Sequence, residues 1–252
     1  MKKTIVVLMI FILLVTGACS GKTKGESLDL DDPLVKELYG YVEIKSHYDH
    51  DYYFYSQPEL TVATFQDNHK HHFAFRLIDK EDFTIKKSSS CGTYTVKPEV
   101  YRKAIEKYFG PDVEYEVDEW LFLVYPRDDL LSKCGLVSVY YNPDKNIYHG
   151  VFGYEGLVPE VLPIYTKLIS AIKLDDTIIL TQKYIFTTTE YGEKTTYKIF
   201  ADLQTAILLE TFDGENAPQI SIEDYLEKAG TIEYTFKLGP DNEYHFYSSV
   251  IK

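Results

Sequence analysis

Apolar residues recur along this chain with two periods, and the changes from one period to the other mark out its elements. Asp32-Pro33 offers a side-chain cap followed by a proline suited to a first helical turn. Leu34, Val35, Leu38, Tyr39 and Val42 then fall on one face of a helix that runs to about residue 45. Aromatic and β-branched runs at 52–55, 60–65 and 71–78 predict short strands, and Ser88-Ser-Ser-Cys-Gly92 predicts a loop. A second helix over 98–109 gathers Val100, Tyr101, Ile105 and Tyr108 on one side and stops at Gly110-Pro111. Strands at 113–117 and 120–125 precede a hairpin of 136–141 and 147–152, turned across Asn142-Pro143-Asp144-Lys145-Asn146.

The second half opens with helical spacing at 160–173, where Val161, Tyr165, Leu168, Ile169 and Ile172 make an apolar stripe. A three-strand meander over 177–189, 195–201 and 206–212 follows. A short helix begins at the capping-box-like Ser221-Ile-Glu-Asp224 and ends at Gly230. Strands at 232–238 and 244–250 close the chain around Gly239-Pro240-Asp241-Asn242. Antiparallel runs without regular β-helix-β alternation predict an α+β class with about four helices. The halves 32–155 and 156–252 both read as helix, strands, helix, hairpin, which suits two tandem copies of one α+β unit. Pro143-Asp144 before Tyr148-His149 is echoed by Pro240-Asp241 before Tyr244-His245. Good turn and strand chemistry alone would produce the same echo. The element order also resembles that of nuclear-transport-factor-like domains. That resemblance implies helices against one curved antiparallel sheet, and it carries no functional residue.

Residues 1–19 have a different character. Lys2 and Lys3 precede an unbroken apolar stretch from Ile5 to Val15, and Gly17-Ala18 leads into Cys19. The stretch is shorter than the roughly 20 residues that cross a hydrocarbon core. This segment resembles a bacterial lipoprotein precursor. The resemblance implies a signal peptide over 1–18, a covalent lipid on Cys19, and a mature protein held outside the cytoplasm on the cell membrane. Residues 19–31 are small and polar after the cysteine and read as a flexible tether.

Composition narrows the partners. The chain carries a net charge of -13, and removing 1–18 takes away two lysines and no acid, leaving a still more acidic body. Such a body repels phosphate backbones, so nucleic acid is not expected as a partner. Attachment to a membrane would fall to the lipid. Two cysteines remain, Cys91 and Cys134, and in an exported protein they form a candidate disulfide. Closing that loop would stabilise the fold by roughly 4 kcal/mol. Two separate buried thiols are the equally weighted alternative.

Chemical motifs are sparse. Five of the seven histidines lie close together as His47, His50, His69, His71 and His72, beside Asp49 and Asp51. Imidazole with carboxylate suits a transition metal. His69 and His71 would share one side of a strand. Lys70 sits between them, the H-E-x-x-H pattern is absent, and solvated loop histidines account for the cluster without an ion. No G-x-S-x-G elbow or phosphate-binding glycine loop occurs. Ser170-Ala-Ile-Lys173 matches S-x-x-K without the partner motifs that would give it meaning. The chain holds 23 tyrosines against one tryptophan, and tyrosine gives rigid amphipathic contact area. Tyr52, Tyr53 and Tyr55 are therefore candidates for a binding face, although tyrosine also fills half-buried strands generally. These observations favour a non-enzymatic envelope protein that binds a protein, peptide or glycan, with no cofactor beyond the lipid. The alternative is an envelope hydrolase that uses carboxylates or a histidine-bound metal.

Overall fold

A computed structural model describes residues 25–43, 49–87, 92–116, 120–124, 137–152, 163–192, 194–214 and 218–252. The strands, in chain order, are β1 (Glu26–Ser27), β2 (Glu59–Thr61), β3 (Thr84–Lys87), β4 (Gly92–Val96), β5 (Trp120–Val124), β6 (Val137–Asn142) and β7 (Ile147–Phe152). They continue as β8 (Ile164–Leu174), β9 (Thr177–Glu190), β10 (Thr196–Phe200), β11 (Leu208–Asp213), β12 (Gly230–Leu238) and β13 (Tyr244–Ile251). The α-helices are α1 (Pro33–Val42), α2 (Asp67–Phe75) and α3 (Pro98–Phe109). All described strand pairs are antiparallel. The α+β class with antiparallel sheets is as the sequence predicts.

There are two sheets. The larger runs β1-β8-β9-β12-β13-β2, with β10 and β11 attached to the far half of the long β9; the smaller runs β3-β4-β7-β6-β5. Along β9, Ile178, Leu180, Tyr184 and Phe186 alternate onto the main core, while Ile185 faces a second small cluster with Ile199, Ile222 and Ala229. The helices α2 and α3 tie the sheets together. Phe75 of α2 meets Tyr94 of β4, and Tyr101 of α3 stacks on Tyr148 of β7 at 4.2 Å. On the other side, Tyr108 and Phe109 of α3 meet Phe246 of β13. One curved sheet, as in the nuclear-transport-factor-like arrangement, is therefore not what the described residues form.

The larger sheet draws β1 and β2 from before residue 155 and its other strands from after it. One core cluster spans both halves. Each closing hairpin is flanked on both sides: β6 pairs with β5 and β7 with β4 in the smaller sheet, and β12 pairs with β9 and β13 with β2 in the larger.

Several local expectations are met. Asp32 Oδ1 accepts from the Leu34 N–H at 2.8 Å at the start of α1, and Gly110 ends α3 with φ at 96°. Others are corrected. Residues 52–55 lie in a 3-10 helix, Asp49–Tyr55, and 67–75 are helical. Helix α2 buries Phe73 toward Phe54 and Phe65 but Phe75 toward Phe83 and Tyr94, so it is apolar on two sides and shows no amphipathic stripe. From Ile164 onward the stripe predicted over 160–173 belongs to β8, not to a helix, while 160–162 lie outside the described residues. A bulge at Ile169, between Leu168 paired with Gln182 and Ser170 paired with Thr181, shifts the alternation and imitates helical spacing. The short helix after Ser221 is a 3-10 turn, Ile222–Tyr225. Glu26 and Ser27, expected in the tether, pair with Lys173 and Ile172.

Both sheets use one packing device. Tyr94 pairs directly with Gly150, and Tyr184 with Gly230; in each case the ring lies over the glycine, where a Cβ would collide with it. Gly150→Ala should therefore cost about 1–3 kcal/mol in denaturant unfolding. Tyr94→Leu in the same chain should recover part of that loss by clearing the ring. Cys91 and Cys134 lie outside the described residues. If Cys91 and Cys134 pair, non-reducing mass spectrometry of the purified protein will find the linked peptides; two free thiols would settle for the alternative.

Candidate functional site

The tyrosines first suggested by sequence are interior residues. Tyr53 lies face to face with His69, ring centroids 3.6 Å apart, and its hydroxyl accepts from the Gln66 N–H. Tyr52 meets Phe186. Tyr55 is enclosed by Tyr184 and Phe186, and its hydroxyl accepts from Gln182 Nε2 at 2.6 Å deep in the core. Turning back over the larger sheet, the 3-10 helix hands its rings to the core instead of displaying them on a strand face. Tyr52, Tyr53 and Tyr55 do not form a surface in this fold.

The histidines separate as well. His47 and the side chain of His50 lie outside the described residues. On α2, His69 and His71 are two positions apart and so point to different sides of the helix, about 200° round. His71 Nε2 sits 2.9 Å from the Glu116 carbonyl, and its ring meets Tyr101 and Tyr115. The His72 ring lies edge-on to Phe73. Among the described residues no group of three His, Cys, Asp or Glu side chains is placed to hold an ion. Lys70, between them in sequence, is buried and donates to Asp67 Oδ1 at 2.9 Å and to the Glu114 carbonyl at 2.8 Å. Burial works against the Asp67 carboxylate, but hydrogen bonds from Lys70 and the Glu116 N–H outweigh it and hold that carboxyl below its ordinary range.

Open space is found elsewhere. A cleft of about 500 Å³ is lined by Thr61, Val62, Lys70, Glu114 and Tyr247 among others. Its lysine is already bound to Asp67 and Glu114. A second cleft, about 390 Å³, lies between the first turns of α3 and the β6–β7 hairpin and is lined by Pro98, Glu99, Arg102, Tyr115, Tyr141 and Tyr148. Its construction follows from local structure. Glu99 and Arg102 are one turn apart on the exposed side of α3. Tyr141 and Tyr148 are directly paired across the hairpin and therefore point to the same side of the sheet. Tyr141 donates its hydroxyl to Asn146 Oδ1 at 2.7 Å, fixing its ring from within the turn.

Tyr148 is held between Tyr101 and Tyr141, and the residue is only 3% exposed. Its hydroxyl has no hydrogen-bond partner among the described residues, and neither does that of Tyr115. Burial, with Tyr115 and Tyr141 close by, pushes the Tyr148 phenol up; burial and the Glu106 charge push Tyr115 up against the pull of Arg102. Both phenols therefore stay protonated at physiological pH. The arrangement offers two hydroxyls, one guanidinium and one carboxylate around aromatic walls. Sequence reasoning passed over these residues; the predicted hairpin, turned across 142–146, sets Tyr141 opposite Ile147, one residue short of the observed pairing with Tyr148.

A separate polar group has a structural task. His245 Nδ1 lies 2.9 Å from the Lys107 carbonyl in the last turn of α3, and Nε2 lies 3.0 and 3.1 Å from the Asp241 carboxylate. A carbonyl left open at the end of α3 is thereby engaged by the β12–β13 hairpin.

Comparison with protein-family models, with curated proteins and with solved structures finds no match to this chain.

The hydrogen bond from His245, with a further one from the Glu243 N–H, holds the Asp241 carboxyl below its ordinary range. A depressed carboxyl stabilises the fold above its unfolded pKa of about 3.9 and ceases to do so as pH falls through its folded value. In thermal melts from pH 7 to pH 2, Asp241→Asn should be less stable than wild type at neutral pH, by at most about 1 kcal/mol for so exposed a carboxylate. That gap should close at the acid end.

Proposed function

We propose that this protein is a lipid-anchored binding module of the cell envelope, with the tyrosine-lined cleft between α3 and the β6–β7 hairpin as its ligand site. The cleft carries the binding part of this reading: it brings Arg102, Glu99 and two unpartnered tyrosine hydroxyls to one opening whose rings are fixed from behind. A rigid site of that kind loses little freedom when it is filled. The anchor rests on residues 1–19, with their charged start, apolar stretch and Gly17-Ala18-Cys19. Among the described residues no helix is long and apolar enough to cross a membrane, and the acidic body gives no electrostatic hold on anionic headgroups. On this reading the lipid supplies the attachment and the folded body supplies the recognition, outside the cytoplasm.

Metabolic labelling with a tagged fatty acid should mark the wild-type protein and leave Cys19→Ala unmarked, with that variant shifting from the membrane fraction to the soluble exported fraction. Label retained on Cys19→Ala would defeat the anchor.

A further inference from the structure

We infer that the cleft lined by Glu99, Arg102, Tyr115, Tyr141 and Tyr148 recognises a neutral saccharide, an inference that rests on the binding reading above. The hydrogen-bonding groups set the ligand's chemistry. Each unpartnered phenol both donates and accepts, Arg102 only donates, and Glu99 only accepts. A ligand that satisfies this set must offer donors and acceptors side by side. The vicinal hydroxyls of a sugar ring do so, and its C–H faces suit the half-buried walls of Tyr115 and Tyr141.

Charge narrows the class further. Glu99 and Arg102 lie three residues apart on α3 with opposite sign, and Glu106 stands 3.7 Å from Arg102 on its other side. The cleft therefore has no surplus of positive charge for a phosphate, sulfate or uronate, and the whole chain at -13 opposes one. A proline-rich peptide would supply carbonyl acceptors for the phenols and Arg102. Proline carries no N–H, however, so such a peptide offers the Glu99 carboxylate fewer donors than the hydroxyls of a sugar ring. Tyr148 is the most informative residue. Its ring lines the cleft and is locked between Tyr101 and Tyr141, so its hydroxyl is a fixed donor that adds little ordering cost on binding.

Calorimetric titration of the purified full chain tests this with four probes: chitotetraose, cellotetraose, a polygalacturonate tetramer as the acidic sugar, and a proline-rich decapeptide. At least one neutral tetrasaccharide should bind saturably. Tyr148→Phe, which removes one hydroxyl and keeps the ring, should weaken that binding about 5- to 10-fold. Arg102→Ala, at an exposed helical position, should weaken it comparably and serves if Tyr148→Phe melts early. Tyr191→Phe, far out on the surface, should leave it unchanged. Neutral-sugar binding that survives both cleft variants overturns the inference by placing the sugar elsewhere. Stronger binding of the acidic tetramer overturns it through the charge argument. Peptide binding alone, weakened by Tyr148→Phe, overturns the saccharide while the cleft stands as a binding site. Silence from all four probes overturns both.

Discussion

Phe246 on β13 touches Phe54, Phe65, Tyr108, Phe109 and Phe236, and through those rings the larger sheet is joined to the 3-10 segment and to α3. Phe73 of α2 enters the same cluster through Phe54, Phe65 and Tyr108. Each edge-to-face or offset pair contributes about 0.5–1.5 kcal/mol beyond the area it buries. The cluster matters because an acidic chain opposes its own compaction. The exposed Lys–Glu pairs, such as Lys167 with Glu223, offset that self-repulsion only slightly. Burial of rings has to supply the difference. The abundance of Tyr and Phe in this sequence is first of all a property of its interior.

The cleft is a by-product of that interior. Tyr101, whose hydroxyl donates to the His71 carbonyl of α2, stacks on Tyr148 and thereby fixes the floor of the cleft relative to both central helices. Helix α3 is in turn held at its far end, where His245 reaches the Lys107 carbonyl. The position of Arg102 and Glu99 relative to the hairpin is thus set by contacts made one or two turns further along α3, inside the fold.

What could be read from the sequence was whatever had one buried side and one wet side. Helices α1 and α3 satisfy that condition and their periods announced them, while the β6–β7 and β12–β13 hairpins were announced by their turn residues, although β13 buries His245, Phe246, Ser248 and Ser249 on both faces. Helix α2 fails it because Phe73 and Phe75 are buried on opposite sides. Strand β8 fails it because one bulged residue, Ile169, moves its pattern out of phase. Residues 52–55 fail it because four consecutive aromatic side chains are all buried, which no half-exposed strand permits. The site follows the same rule. Tyr141 and Tyr148 were legible as residues of one hairpin, but their exact register and the approach of α3 to them depend on long-range packing that no local pattern encodes.

The two-residue strand β1 alters the mechanics of a tethered protein. Leu28 N–H donates to the Ala171 carbonyl beyond the β1–β8 ladder, so the chain is fastened to the sheet edge from residue 26 onward. On the lipid-anchored reading, only the stretch from Cys19 to Gly25 then separates lipid from body, a contour of about 20 Å at full extension. That is close to the radius of gyration of about 17 Å expected for a domain of this size. A body on so short a leash pivots around the β1–β8 edge and does not roam. Its electrostatic aversion to anionic headgroups would act as an orienting torque, keeping that edge nearest the bilayer and lifting the rest of the molecule away from it.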